Sequence, residues 1–171
     1  ACNGYTTALI EKEEFCGSTS AHSLNVLHGG LRYLQHFNIK RMRRSINSRR
    51  YFQQVSPNNI EYLPFLTPLD SWGINSPFIM RSALLLNDLI SIDRNNGMSK
   101  QQYIKGGSVL NRKSLLRKLP EFSHTPVSGA ALWYEAVMNN VKQVVNDVLH
   151  SAVKNGAVIA NNTEAIELFH D

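Results

Sequence analysis

The feature that most constrains this chain lies near its C-terminal end. Val141, Val144, Val145, Val148, Leu149, Ala152 and Val153 recur at intervals of three and four, a spacing that gathers apolar side chains on one face of an α-helix. Asn139 stands where it can cap the start of that helix, and Gly156 where it can close the end. Apolar runs flank it at residues 130–134 and 157–160, so the unit reads as strand, helix, strand. A helix of this kind needs a sheet to cover its apolar face, and the order points to an α/β or α+β fold.

A second anchor sits at the front. Thr6-Thr7-Ala8-Leu9-Ile10-Glu11 is a short apolar run of the kind found in a buried parallel strand, closed by a carboxylate. The opening residues, Ala1 to Gly4, read as the tail of a helix with Gly4 at its cap. Between these ends the pattern predicts a helix entered from Thr19 or Ser20 with Leu24, Leu27 and Leu31 on one face. Further helices are expected at residues 40–55, ended by Ser56-Pro57, at 78–90, and at 114–119, stopped by Pro120. Residues 62–66 read as an edge strand, and 163–169 as one more strand.

The 171 residues, 43% of them hydrophobic and 18% charged, form a composition that excludes disorder and low-complexity repeats. The longest nearly uncharged stretch, residues 71–87, contains Asn75, Pro77, Arg81 and Ser82, and falls short of the roughly 20 apolar residues of a membrane-spanning helix. Cys2 and Cys16 have no metal-ligand spacing, and a reducing compartment is the simpler expectation. No His cluster has ligand spacing either, so no metal site is expected.

Three segments carry candidate chemistry. Glu11, at the end of a strand, can accept hydrogen bonds from ribose hydroxyls as in dinucleotide-binding folds; a solvated carboxylate opening a polar loop is the competing reading. Gly17-Ser18-Thr19-Ser20 puts small hydroxyl residues at a helix start, where unpaired N–H groups and the dipole favour phosphate oxygens; ordinary capping is the alternative. His28-Gly29-Gly30-Leu31-Arg32-Tyr33 is denser. Paired glycines let a planar ligand approach the backbone, while an imidazole, a guanidinium and a phenol lie within six residues. A plain Gly-Gly turn with polar neighbours competes with that.

The net charge is +5, and six of the eighteen Lys and Arg fall between Lys40 and Arg50. The excess therefore describes one surface. It reads as a solvated helix face or as a contact for an anionic partner. Aromatic interleaving for base stacking is lacking, which argues against nucleic acid.

In order along the chain, Ala8-Leu9-Ile10-Glu11-Lys12, Gly17-Ser18-Thr19-Ser20, Leu27-His28-Gly29-Gly30-Leu31-Arg32-Tyr33-Leu34-Gln35-His36 and Asn155-Gly156-Ala157-Val158 resemble the FAD-dependent glycerol-3-phosphate dehydrogenase family. That family belongs to the amino-acid-oxidase-like flavoproteins. The run from His28 to His36 is the specific part. The resemblance implies a partial Rossmann-type FAD-binding domain at 1–56, part of a mixed-sheet substrate or cap domain at 57–138, and a return to the first domain at 139–171. It implies Glu11 at the adenosine ribose, Thr19 and Ser20 at the FAD pyrophosphate, and Gly29, Gly30 and Leu31 along the flavin. Arg32 would clamp the anion of the substrate, with Tyr33 and His28 beside it.

Leu24 and Asn25 stand where the family commonly has Ser and Lys. Glu135, Asn139 and Asn140 replace aspartates, and Lys142 replaces an Arg. The family's GxGxxG turn would precede Ala1, so the chain is expected to be an internal piece, inactive alone and a weak FAD binder. The activity implied is hydride transfer from glycerol 3-phosphate to FAD, giving dihydroxyacetone phosphate, with quinone as the onward acceptor. A cytoplasmic protein with peripheral contact to the inner face of a membrane is implied with it. Two other readings stay open: an FAD enzyme acting on an amino acid or another hydroxy compound, and a non-catalytic module binding anionic partners through Lys40 to Arg50.

Overall fold

The computed structural model describes residues 3–169. Cys2 and the start of the proposed N-terminal helical tail lie outside these residues. Chain order is β1 (Ala8–Ile10), β2 (Val26–Leu27), α1 (Ile39–Val55), β3 (Ile60–Leu69), α2 (Pro77–Ile90), β4 (Ser108–Asn111), α3 (Arg112–Lys118), β5 (Gly129–Met138), α4 (Val141–Lys154) and β6 (Val158–Ala160). The strands form two sheets. β5 is the spine of the larger, antiparallel one, with β3 along one side and β2 and β4 at opposite ends of the other. β1 and β6 form a separate parallel pair. The mixture of parallel and antiparallel strands with helices agrees with the expected α/β or α+β class.

The β3–β5 ladder runs ten residues, from Ile60 opposite Met138 to Leu69 opposite Gly129. Pro64 and Pro68 lie within β3 and donate no ladder hydrogen bond, which suits an edge strand. Gly129 is required where β4 crosses: a Cβ there would overlap the Leu110 carbonyl.

Small buried clusters line both sides of this ladder. Leu34, Met42 and Ile46 pack where α1 meets the turn after Gly30. Ile60, Ala136 and Val144 join the ladder to α4, Leu69, Leu84 and Ala131 join it to α2, and Leu115, Val127 and Ala130 join it to α3. Each helix thus buries one apolar stripe against β5 or its neighbours, the arrangement that binary patterning favours.

Several expectations are corrected. No helix follows Thr19 and Ser20: residues 18–22 form a turn closed by Ala21 N–H to Ser18 O and His22 N–H to Thr19 O. Leu24 is 87% exposed, and Asn25 takes a left-handed φ of 59° so that β2 can pair with β5. Pairing along an open sheet side outweighed the three-four spacing of Leu24, Leu27 and Leu31. The cap of α4 is Asn140, whose side chain accepts from Gln143 N–H at 3.1 Å, and not Asn139; Asn139 N–H instead bonds Asn59 O.

α4 does connect two strands, but β5 and β6 lie in different sheets. β1 is parallel as expected yet exposed rather than buried, with Leu9 and Ile10 at 43% and 47%. Residues 163–169 form no strand and stay exposed, Ile166 and Phe169 among them.

Candidate cofactor and substrate site

Glu11 follows β1 directly, and its N–H bonds Ala160 O at 2.9 Å, extending the parallel pair by one step. A carboxylate therefore stands at the C-terminal end of a parallel strand, as the sequence implied. Glu11 Oε1 accepts from Glu13 N–H at 3.1 Å; Oε2 has no partner among the described residues. Thr19 and Ser20 are exposed on the 18–22 turn. Their hydroxyls are accessible, but the helix dipole that would favour phosphate there is absent.

His28, Gly29 and Gly30 follow β2. Both glycines are buried, and His28 is exposed. Gly29 N–H donates to Glu135 Oε2 at 2.6 Å, and Arg49 Nη1 donates to the same oxygen at 3.1 Å. A Cβ on Gly29 would collide with the Arg49 guanidinium. The close approach this glycine permits is therefore made by Arg49 of the same chain. Gly30 has φ 87°, and a Cβ there would lie 3.1 Å from Met42 Cα, so helix α1 covers that glycine too.

The Arg49–Glu135 pair is buried, with both side chains 6% exposed. Burial pushes the Arg49 pKa down, against the opposing attraction of Glu135. The phenol of Tyr62, itself half-buried, is pushed up to about 12 by desolvation, with Arg49 pulling the other way. Leu31 packs beneath the turn against the Leu34 and Leu69 clusters. It also lines a small polar pocket with Arg49, Asp88, Arg94 and Glu135.

An open cleft of about 720 Å³ lies on the other side of this turn, lined by His28, Lys40, Arg41, Arg44, Ser48 and Arg49 among others. Arg41 stacks over the Tyr33 ring with its guanidinium carbon 4.9 Å from the centroid, a cation–π contact. Arg32 is exposed and has no partner among the described residues. The fold thus gathers His28, Gly29, Gly30, Leu31 and Tyr33 along α1, from Arg41 to Arg49. Glu11, Thr19, Ser20 and Arg32 line neither of these two spaces.

Sequence reasoning missed the Arg49–Glu135 pair, although a signal was present. Met42, Ile46, Arg49 and Gln53 share the buried face of α1, and a cation on an apolar stripe demands a buried acid. The solvated-face reading of the basic segment also fails in part. Arg43 and Arg50 both reach Asp93 in the loop after α2, at 2.5 and 2.9 Å. The Arg43 guanidinium, through hydrogen bonding and charge, holds the Asp93 carboxyl well below the usual carboxylate range, with Arg50 adding to it. Among the described residues no group of His, Cys, Asp and Glu could hold a metal ion, and no helix is long and apolar enough to cross a membrane.

Residues 1–171 match the family model described as FAD dependent oxidoreductase. The chain is 27% identical over 165 residues to a glycerol-3-phosphate dehydrogenase of Synechocystis, covering 94% of this chain and 28% of that protein. It is 28% identical over 173 residues to an alpha-glycerophosphate oxidase of Streptococcus pyogenes, covering 100% of this chain and 27% of the relative. It thus spans about a quarter of the length of these curated relatives. Among solved structures, it resembles glycerol-3-phosphate dehydrogenase from Bacillus halodurans, complexed with FAD, with a TM-score of 0.56 and 17% identity over 98% of this chain and 24% of the other. At that identity the likeness is one of fold.

Proposed function

The chain belongs to the family of FAD dependent oxidoreductases, and we propose that the whole protein oxidises glycerol 3-phosphate to dihydroxyacetone phosphate with FAD as hydride acceptor. The observation that carries the cofactor part of this reading is Glu11, at the end of the parallel β1–β6 pair with one carboxylate oxygen unpartnered among the described residues, where a ribose hydroxyl can donate to it. The residues present fit the cofactor at its ribose and pyrophosphate end, whereas the close approach at Gly29 and Gly30 is taken by Arg49 and α1. Thr19 and Ser20 offer exposed hydroxyls to its pyrophosphate, and His28 to Leu31 form a turn anchored from behind by Glu135. When bound, FAD supplies the redox chemistry; the protein's groups bind and orient.

Arg32 is the proposed anion clamp because its guanidinium is accessible and unpaired among the described residues, and Tyr33 and His28 complete the substrate side. Residues 1–56 and 139–171 would belong to the cofactor side and 57–138 to the substrate side, with β2 tying the two through β5. Quinone is the proposed onward acceptor, for a cytoplasmic protein touching the inner face of a membrane peripherally. The relatives' names, one a dehydrogenase and one an oxidase of glycerophosphate, support the substrate class.

Arg32→Ala in the whole protein tests the assignment. Loss of one charge-assisted hydrogen bond should raise KM for glycerol 3-phosphate by roughly tenfold or more. An unchanged KM removes Arg32 from the substrate site as its anion clamp.

A further inference from the structure

We propose that the cleft beside His28 is a binding site for a phosphate-bearing ligand, held by Lys40, Arg41 and Arg44. The site is argued from charge and geometry; it rests on the functional reading above only for the kind of ligand, a small phosphate ester.

The six cations of α1 divide into two sets. Arg43 and Arg50 share Asp93, and Arg49 pairs with Glu135. Lys40, Arg41 and Arg44 have no carboxylate partner among the described residues, and all three line the cleft. No Asp or Glu lines it with them. Of the four cations that line the cleft, Arg49 is matched by an acid, and Lys40, Arg41 and Arg44 are left without one among the described residues.

Helix polarity sharpens the contrast. Lys40 and Arg41 occupy the first turn of α1, which carries no acid. The N-terminal end of a helix is already positive, so cations there are unfavourable. A bound anion relieves both the dipole and the mutual repulsion of the three side chains. Donors for its oxygens are at hand: Ser45, Ser48 and His28 also line the cleft, and Lys40 N–H has no partner among the described residues.

Part of the ordering cost is already met. Arg41 is held against the Tyr33 ring, so its guanidinium loses less freedom when a ligand binds. The concave shape concentrates positive potential more than an open face does. A volume of about 720 Å³ accommodates a phosphate ester with room for its organic part, and a recess of this kind suits a small molecule better than a flat lipid surface.

The test titrates inorganic phosphate and glycerol 3-phosphate into the whole protein, followed by NMR shifts of the His28 ring and α1 amides. Saturable shifts of His28 and the first turn of α1 are expected, with affinity falling as salt rises. Lys40→Ala with Arg44→Ala should weaken binding by about tenfold or more without lowering the melting temperature, because only uncompensated charges are removed. Arg44→Glu should abolish binding. Lys113→Ala with Arg117→Ala, on the exposed side of α3, should leave it unchanged.

Absence of saturable shifts overturns the proposal, as does equal loss in both double variants. Binding confined to anionic phospholipid vesicles, with no response to the free esters, also overturns it and assigns the face to a membrane. Flavin reduction by glycerol 3-phosphate in the whole protein separates the two readings. If it persists while phosphate fails to bind here, only this site is wrong; if phosphate binds but no flavin is held, only the function is.

Discussion

Arg49 and Glu135 meet at 3.1 Å inside the fold, and the same carboxylate oxygen takes the Gly29 N–H. Three elements converge on it: α1 supplies the guanidinium, β5 the carboxylate, and the turn after β2 the amide. Glu135 thereby fixes the peptide that presents His28 to the cleft. Sheet, helix and candidate site are coupled through one buried charge.

Removing the carboxylate should be costly. Glu135→Ala leaves a buried guanidinium and a buried N–H unpaired, for a loss of about 3–5 kcal/mol. Glu135→Gln keeps an acceptor for Gly29 and should cost less. In a double-mutant cycle with Arg49→Met, urea denaturation should show coupling of roughly 1–3 kcal/mol. Simple additivity would mean the pair contributes nothing jointly.

Gly29 is the second element of that relationship. Gly29→Ala forces its methyl into the Arg49 guanidinium, which is buried and held by Glu135. Overpacking of this kind costs about 1–3 kcal/mol, and the cost should shrink in the Arg49→Met background. If it does not shrink, the glycine is needed for something other than Arg49.

Much of this was legible in the sequence, and the boundary is instructive. α1, α2, α3 and α4 follow their apolar spacings and their stop signals, because local periodicity and capping decide such segments. The Gly29-Gly30 turn and Glu11 were visible as residue types. What the sequence hid was long-range: Glu135 lies 106 positions from Gly29, and nothing local announces that contact. The same holds for β2, where the spacing of Leu24, Leu27 and Leu31 imitates a helix until a strand partner is available. Arg49 was the one clue that could have been used, a cation in line with Met42 and Ile46.

The cap of α4 offers a small, sharp check. Asn140 accepts from Gln143 N–H, so Asn140→Ala should destabilise by about 0.5–2 kcal/mol, read from thermal melts. Asn139→Ala, which leaves that cap intact, should cost markedly less. Equal costs would return the cap to Asn139.

Acid should loosen the contact between α1 and the loop after α2. Hydrogen bonds and charge from Arg43 hold the Asp93 pKa below its unfolded value of about 3.9. The folded state therefore binds fewer protons than the unfolded one in the window below that value. Stability from this group is fully present above pH 4 or so and is lost as pH falls toward the folded pKa. Asp93→Asn should flatten the acid limb of the stability curve below about pH 4; an unchanged limb would show that other carboxylates govern it.

The proposed oxidation of glycerol 3-phosphate by a bound flavin can be read optically. Its most direct test is the visible flavin absorbance of the whole protein, purified and made anaerobic, before and after adding that substrate. A bound flavin band is expected that bleaches on addition of glycerol 3-phosphate and bleaches far less with Arg32→Ala at the same concentration. A protein that retains no flavin, or whose flavin stays oxidised with excess substrate, would contradict it.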